Sequence, residues 1–320
     1  MFERRAHGRG AVCGAALLAL VIPWLAGCSV RRVAVRSLGH AMASTADVFA
    51  GDEDPELVAQ ALPFALKTME GLLAQDPTNR ALLLATARGF TQYAHAFVKQ
   101  PADLLEAVDY ERAEDERQRA LKLFLRARGY ALRGLETTHP GIGERLVADP
   151  AAAAAEIGRE EVDLAYWAAA SWGAAIASGK DRPELLADLP AVRALLERAL
   201  ALDEGWGGGA IHEAFISLEA ATPAAFGGSP ERAREHFARA VELTGGNAAG
   251  PYVTLAESVA VPAQDRVEFE ELLGKAQAVD VDAVPVRRLA NVLAQRRARW
   301  LLSRADELFF EEEQEEATPP

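Results

Sequence analysis

An eight-residue pattern that recurs along the chain restricts its fold more than any other feature. Three copies align without gaps, LERALALD at 196–203, FARAVELT at 237–244 and LGKAQAVD at 273–280, and MEGLLAQD at 69–76 matches more loosely. Each copy has a large apolar residue at position 1, a small or apolar one at position 4 and a polar turn former at position 8. Positions 1, 4 and 5 share one helix face, so the pattern predicts the buried stripe of one helix in a repeated hairpin.

The segments between these octads predict the partner helices. Successive late octads are 41 and 36 residues apart (196 to 237 to 273), close to the 34-residue tetratricopeptide period. The chain is rich in Ala, Leu, Glu and Arg and lacks period-two strand patterns. The predicted fold class is all-α, a tetratricopeptide-like helical-hairpin array (an α-solenoid) of about four hairpins with a long C-terminal capping helix. Its remaining helices are predicted at 80–98, 115–136, 160–178, 208–221, 250–261 and 285–310.

One segment interrupts this helical pattern. Residues 139–159 contain Pro140, Gly141, Gly143 and Pro150 together with a run of alanines. Proline and glycine mark turns, so we expect an inserted loop with one helical turn here.

The N-terminus predicts export and lipid anchoring. A short basic region precedes an apolar stretch from Ala11 to Leu25, which is too short to span a bilayer and typical of a signal peptide. Leu25-Ala26-Gly27-Cys28 is a lipobox, so residues 1–27 are expected to be removed and Cys28 to be lipidated. The alternative is an ordinary cleaved signal in which Cys28 is incidental. Ser29 after the cysteine favours the outer over the inner membrane.

The remainder divides by composition into three parts. We expect a lipidated tether at 28–46, a single tetratricopeptide-like helical domain at 47–310 and a disordered acidic tail at 311–320. The formal net charge of −13 becomes about −15 without residues 1–27. Such a surface repels phosphate backbones, so we expect no nucleic-acid partner. The lipoprotein signal predicts a location on the periplasmic side of the bacterial envelope.

Two motifs suggest enzyme chemistry and fail on their surroundings. His212-Glu213 begins an HExxH zinc motif, but Ile216 stands where the second histidine is required. Residues 205–210 match G-x-G-x-x-A but follow a helical octad rather than a strand, so they predict a turn between helices. We therefore expect no metal, no cofactor and no catalytic site, with His212 bonded to a neighbour or lining a groove.

Aromatic residues on the first helix of each hairpin are the candidate binding residues. Core packing explains any one of them, because small residues between aromatics let helices approach closely. The alternative uses solenoid geometry, in which first helices line a concave face that holds an apolar ligand or a partner's segment. The candidates are Phe90, Tyr93, Phe97, Tyr166, Trp167, Trp172, His212 and Phe215.

Long stretches of the chain resemble one family, the T component of bacterial TRAP (tripartite ATP-independent periplasmic) transporters, or TatT lipoproteins. The resemblance is carried by residues 47–98, LRGLETTHPG at 132–141, YWAAASWGAAIA at 166–177, GGAIHEAFISLEAA at 208–221, 227–273 and 287–310. It implies a periplasmic lipoprotein of helical hairpins that associates with the transporter's solute-binding protein. Some members are expected to be homo-oligomers with an apolar channel or pocket.

Two functions of different class follow. The first is a lipid-anchored accessory protein that binds a periplasmic solute-binding protein and takes a hydrophobic small molecule. The alternative is a scaffold lipoprotein of envelope assembly without a small-molecule site. A neighbouring gene for a solute-binding protein favours the first, and an assembly or secretion cluster favours the second.

Replacing the predicted anchor tests its role directly. Cys28→Ala is expected to move the protein from the membrane to the soluble fraction without unfolding it, because Cys28 precedes the helical domain. The measurement is the protein's partition after a carbonate wash, with circular dichroism as the control for folding. Retention of the variant in washed membranes contradicts attachment by a single lipid anchor.

Overall fold

A computed structural model of the protein describes residues 37–39, 41–42, 46–179 and 181–310. The predicted signal peptide, Cys28 and the acidic tail lie outside the described residues. Within those ranges the chain forms helices and no strand, which confirms the all-α prediction. The helices are α1 (Ala46–Ala50), α2 (Pro55–Leu73), α3 (Arg80–Ala94), α4 (Gln100–Leu105), α5 (Tyr110–Glu136), α6 (Ile142–Ala148), α7 (Pro150–Ala155), α8 (Val162–Ser178), α9 (Pro183–Leu186), α10 (Leu189–Leu202), α11 (Ala210–Ala221), α12 (Pro230–Thr244), α13 (Gly250–Leu255), α14 (Arg266–Ala278), α15 (Arg288–Ser303) and α16 (Ala305–Leu308).

Side-chain caps determine where several helices begin. Asp54 accepts a hydrogen bond from the backbone N–H of Leu57 at 3.0 Å, and Pro55 occupies the first turn of α2. Asp109 caps α5 in the same way through the N–H of Arg112 at 3.1 Å. A capping oxygen pairs with an otherwise unsatisfied N–H, which fixes the first residue of the helix. This is why α5 begins at Tyr110, five residues before the predicted boundary.

Six helices form a closed inner ring. In order, α2 packs on α3, α3 on α8, α8 on α11, α11 on α13, α13 on α15, and α15 packs back on α2. The other long helices form an outer layer, since α5 lies against α3 and α8, α10 against α8 and α11, α12 against α11 and α13, and α14 against α13 and α15. The apolar cores lie mainly between the two layers. The inner ring therefore encloses the interior of the molecule.

Helix packing in the densest part of the ring depends on small residues. At Gly134 on α5, an added Cβ would lie 2.5 Å from Cδ2 of Leu164 on α8. Ala127, Ala131, Ala165 and Ala168 on these two helices are fully buried. Small side chains bring the helix axes close enough for the interdigitated packing that stabilises protein interiors.

Ion pairs between distant parts of the chain close the ring. Arg297 on α15 contacts Asp103 on α4 at 3.3 Å and Glu257 at 2.6 Å. The neighbouring Arg296 pairs with Glu56 at the start of α2. The side chain of Arg297 is 10% exposed and that of Asp103 14% exposed, so this contact is shielded from water. Arg297 therefore joins the two ends of the array through a largely buried pair.

Two predicted segments differ from the structure. The prediction of an inserted loop at 139–159 was wrong, because this segment contains the helices α6 and α7. Asp149 caps α7 by accepting a hydrogen bond from the backbone N–H of Ala152 at 3.2 Å. Ile142 and Leu146 of α6 are fully buried, so this segment belongs to the core. The predicted continuous helix at 285–310 is shorter, since α15 begins at Arg288 and the chain leaves helical geometry at Arg304.

One glycine turn and two π-helical turns lie where the sequence predicts a helix connection or a helix. The glycine run after α10 forms a turn in which Gly207, Gly208 and Gly209 have positive φ, as the sequence predicts for a helix–helix connection. Single π-helical turns at His95–Lys99 and Ala256–Ala260 continue α3 and α13. No described helix combines the length and apolar character needed to cross a membrane.

Replacing Arg297, whose ion pairs are largely shielded from water, should destabilise the protein more than replacing the neighbouring Arg296. Arg297→Ala leaves Glu257 without its cation, while Asp103 keeps Lys99 at 2.9 Å. We expect a loss of about 2 kcal/mol in the free energy of unfolding, below the usual cost of a broken buried pair because one carboxylate retains a partner. The measurement is urea unfolding followed by circular dichroism.

Arg296→Ala is the matched control on the same helix. Its pair with Glu56 is exposed to solvent, so a much smaller loss is expected. Equal losses for the two variants would show that the shielded pair does not close the ring.

Candidate functional site

The predicted aromatic residues of α3 point into the space between the two layers. Phe90 is buried and stacks on Tyr130 of α5 with ring centroids 6.0 Å apart. Tyr93 and Phe97 are half-buried against the same cluster, whose core includes Leu62 on α2. The Tyr93 hydroxyl accepts a hydrogen bond from Arg119 of α5 at 3.3 Å. These three rings contact α2 and α5, and Tyr93 also packs against the core cluster that contains Trp172 and Phe215.

On α8 the predicted residues separate into one core residue and two half-buried ones. Trp172 is fully buried and donates from Nε1 to Oδ2 of Asp188 at 3.0 Å. Tyr166 and Trp167 are half-buried and meet edge to face at 5.1 Å. The Tyr166 ring also lies 4.4 Å from Trp206 in the turn before α11. Tyr166 is thus positioned where α8 approaches α11.

On α11 the candidates form a histidine cluster. His212 Nδ1 lies 2.8 Å from Nδ1 of His236 on α12, and Phe215 stacks on the His236 ring at 4.5 Å. Burial and the charge of His212 lower the pKa of His236 to about 4, and burial also lowers the pKa of His212. Both rings are therefore neutral near pH 7 and share one proton along their contact. The sequence predicted that His212 bonds to a neighbour, but the partner is visible only in the fold.

Metal binding finds no support among the residues that the structure describes. No group of three or more His, Cys, Asp or Glu side chains is arranged there to hold an ion. The second nitrogen of His212 contacts Glu204 at 3.3 Å, on the side of the ring away from His236. Its two contacts diverge, so the pair does not form a chelate.

A polar stripe on α3 faces the interior of the ring. Arg88, Gln92, His95 and Lys99 follow one another at spacings of four, three and four, which places them on one helix face. His95 is exposed to water, yet surrounding protein and the charges of Lys99 and Arg297 lower its pKa to about 4.

Glu213 on α11 is a second titratable side chain whose pKa is shifted strongly by its surroundings. It is half-buried, and burial raises its pKa to about 7, while Arg287 and a hydrogen bond with Thr254 oppose the rise. A Cβ at Gly250 of α13 would lie 2.3 Å from its Oε1, so a larger residue there would displace the Glu213 carboxylate. Glu213 is therefore partly protonated near pH 7, a property of carboxyl groups in functional sites as well as in structural networks.

Tyr166 connects these charged groups. Burial and the charge of Glu213 raise its pKa, and the charge of Arg88 lowers it. Both charged groups thus lie within electrostatic range of the same phenol. We call Arg88, Tyr166, Glu213, Thr254 and Arg287 the interior cluster; its members come from α3, α8, α11, α13 and the turn before α15.

Sequence reasoning found only one member of the interior cluster, Tyr166. Arg88 and Glu213 are charged residues on otherwise apolar first helices, and that contrast is the signal that could have identified them. The helical periodicity of apolar and polar residues does not by itself show which polar side chains face the inside of the ring and which face bulk water.

A separate recess of about 540 Å³ opens at the N-terminal ends of α3 and α8. Its accessible surface is more apolar than polar, and none of the eight predicted residues lines it. The lining residues are Asp76, Thr78, Asn79, Arg80, Ala81, Leu84, Glu160, Asp163 and Leu164. Three carboxylates against one arginine make it unsuitable for an anionic molecule.

Comparison with known proteins gives a consistent result across the chain. A family model described as TRAP transporter T-component matches residues 51–309. An uncharacterized protein of Treponema pallidum (strain Nichols) is 34% identical over 304 residues, covering 89% of this chain and 94% of the relative. The family match spans both layers of the ring from the turn before α2 to the end of α16.

The raised pKa of Glu213 predicts a pH-dependent effect of its replacement. A carboxyl group whose pKa rises from 4.5 to about 7 on folding favours the folded state below pH 4.5, and this contribution is lost as the pH rises through 7. Glu213→Gln keeps a neutral group at every pH. We expect its melting temperature to exceed that of the wild type by roughly 3 °C at pH 8, because about 1 kcal/mol shifts the midpoint of such a domain by a few degrees.

The two melting temperatures are expected to converge at pH 5, and calorimetry at both pH values measures the difference. Glu271→Gln on the exposed face of α14 controls for the loss of one negative charge. A difference for Glu213→Gln that does not change with pH would contradict the prediction.

Proposed function

The chain belongs to the TRAP transporter T-component family, and on that premise we propose that it is a lipid-anchored accessory protein that binds the transporter's periplasmic solute-binding protein. We further propose that the interior of the helical ring takes a hydrophobic small molecule. The family's role is associated with transport and is not catalytic, in keeping with the absence of any recognised catalytic motif in the sequence.

An exposed apolar rim is the observation that carries the partner proposal. Leu104, Val108 and Tyr110 lie in and beside the turn between α4 and α5 and are 47%, 85% and 64% exposed. A cluster of large apolar side chains in water marks an interaction surface more often than an isolated one does. Aromatic and aliphatic residues of this kind supply most of the binding energy in protein interfaces.

The position of this rim supports its assignment. Asp103, one residue before Leu104, contacts Arg297 and thereby lies where the two ends of the array meet. Asp103 also lies close enough to His95 for its charge to raise the pKa of that ring, against the larger effects of burial, Lys99 and Arg297. A solute-binding protein bound at the rim would therefore sit beside an entrance to the interior.

The ligand proposal rests on the half-buried aromatic residues of the inner ring. Tyr166 and Trp167 keep accessible surface and are the predicted residues that we propose contact a ligand. Half-buried alanines beside them, Ala170 on α8 and Ala214 on α11, leave room at the wall. For the other six predicted residues we propose a supporting role, because their contacts are with neighbouring helices.

Lipidation at Cys28 would strengthen a weak contact between this protein and the solute-binding protein by holding this protein at the membrane. Fewer than ten residues separate Cys28 from Ser37, where the described part of the chain begins. A short tether raises the effective concentration of the protein at the membrane surface where a transporter operates. We propose that anchoring of this kind makes a modest affinity sufficient.

Native mass spectrometry of the Cys28→Ala protein, purified gently from periplasm, tests both parts. A co-purifying solute-binding protein supports the partner proposal, and a bound apolar molecule supports the ligand proposal. The same experiment reports any homo-oligomer. A bare chain at micromolar concentration would favour the scaffold alternative.

Val108→Asp in the same background locates the interface. A charge in the centre of the rim is expected to weaken binding of the solute-binding protein at least tenfold, because it must be desolvated there. Val267→Asp is the matched control, since Val267 on α14 is 70% exposed and distant in sequence from the rim. Equal binding by both variants would place the interface elsewhere.

A further inference from the structure

Arg88 on the inner helix α3 has no hydrogen-bond or ion-pair partner among the residues that the structure describes. The residue is half-buried, and its Nε is buried, so water does not satisfy that donor. Three other buried side-chain atoms in the described residues also lack hydrogen bonds, but the residues that carry them, Glu161, Arg193 and Arg297, hold ionic contacts through other atoms.

This condition is unusual for an arginine inside an acidic protein. Arg297 pairs with two carboxylates, and Arg287 donates to the carbonyl oxygen of Gly208 at 3.1 Å. A guanidinium removed from water without a partner destabilises the fold, and nearly all buried polar groups are paired for that reason. A chain with 47 carboxylate side chains against 34 cationic ones has many possible partners for it. Arg88 nevertheless stays free.

The neighbouring phenol is free as well. The Tyr166 hydroxyl makes no hydrogen bond within the part of the chain that the structure describes, although the ring is held by Trp167 and Trp206. α3 and α8 are neighbours in the inner ring. Arg88 is close enough for its charge to lower the pKa of Tyr166 against the opposing effect of burial. Two donors without hydrogen bonds in the described residues thus lie on neighbouring helices of the inner ring.

We propose that Arg88 and Tyr166 bind the acidic headgroup of an apolar monoanion, a carboxylate on an aliphatic chain. This inference rests on the proposed ligand function and names the ligand's chemistry. A guanidinium presents parallel N–H donors that match the two oxygens of a carboxylate, and the phenol supplies a further O–H donor. The headgroup would satisfy the donors that the chain itself leaves unpaired.

The surroundings favour one negative charge and an apolar tail. A single guanidinium is available, and Glu213 on the adjacent α11 repels a second anionic group. Ala170, one turn after Tyr166 on α8, is half-buried, as is Ala214 on the adjacent α11. These side chains offer an apolar surface for the tail on both helices.

Calorimetric binding of matched acids and alcohols tests the proposal. The probes are octanoate and dodecanoate, with octanol and dodecanol as uncharged counterparts, titrated into the Cys28→Ala protein. We expect the carboxylates to bind at least tenfold more tightly than the alcohols. Arg88→Gln is expected to abolish that preference. Arg88→Lys is expected to retain part of it, because the lysine ammonium keeps the positive charge but lacks the two parallel N–H donors of the guanidinium.

Arg266→Gln on the outer helix α14 is the matched control, since it removes an arginine that pairs with Glu270 at the surface. Thermal melts of every variant show that each is folded, and removal of an unpaired cation should not lower the midpoint. Carboxylate and alcohol binding that are equal, or unchanged by Arg88→Gln, overturn the assignment while leaving an apolar-ligand function intact. Failure of the wild type to bind any of the four probes counts against both the assignment and the proposed ligand function.

Discussion

The contact between Arg297 and the carboxylates of Asp103 and Glu257 is the interaction on which the closed form of this protein depends. Stacked helical hairpins ordinarily form an open superhelix, because each hairpin contacts only its neighbours. Here the last long helix, α15, returns to α2, and the shielded ion pair joins it to α4, which follows the first hairpin. A pair of this kind contributes little net stability against an apolar contact, but it specifies one arrangement, because the alternatives leave charges unpaired in a poorly solvated place.

Closure changes the environment of every first helix. In an open array the inner face of such a helix lies in bulk water, and its charged groups keep their ordinary pKa values. In the ring, the pKa of His95 falls to about 4 and that of Glu213 rises to about 7, since each charged form loses solvation. The same enclosure that disfavours these charges leaves Arg88 and Tyr166 as unpaired donors. The chemical character of the interior is therefore a consequence of the tertiary contact at Arg297.

The helices of the two layers differ in which faces they bury. The outer helices bury most of their apolar stripes against the inner ring, with small residues such as Gly134 allowing close approach. The inner helices are buried on that side and carry polar groups on the other. This division explains why Phe90 and Trp172 belong to the core, although they lie on first helices. It also leaves the apolar rim around Val108 as surface that the fold itself does not use.

The sequence by itself determined the all-α class, most helix boundaries and the glycine turn before α11, because these depend on local propensity, capping and a 3.6-residue period. It also carried the family membership. It did not determine the helices at 142–155, whose short apolar stripes resemble a loop until Ile142 and Leu146 find their core. Periodicity shows that a helix has a buried face but not which neighbour buries it, so the outward orientation of Phe90 and the pairing of His212 with His236 followed only from the tertiary structure. Ring closure joins residues some 240 positions apart, Glu56 and Arg296, and no local pattern encodes such a contact.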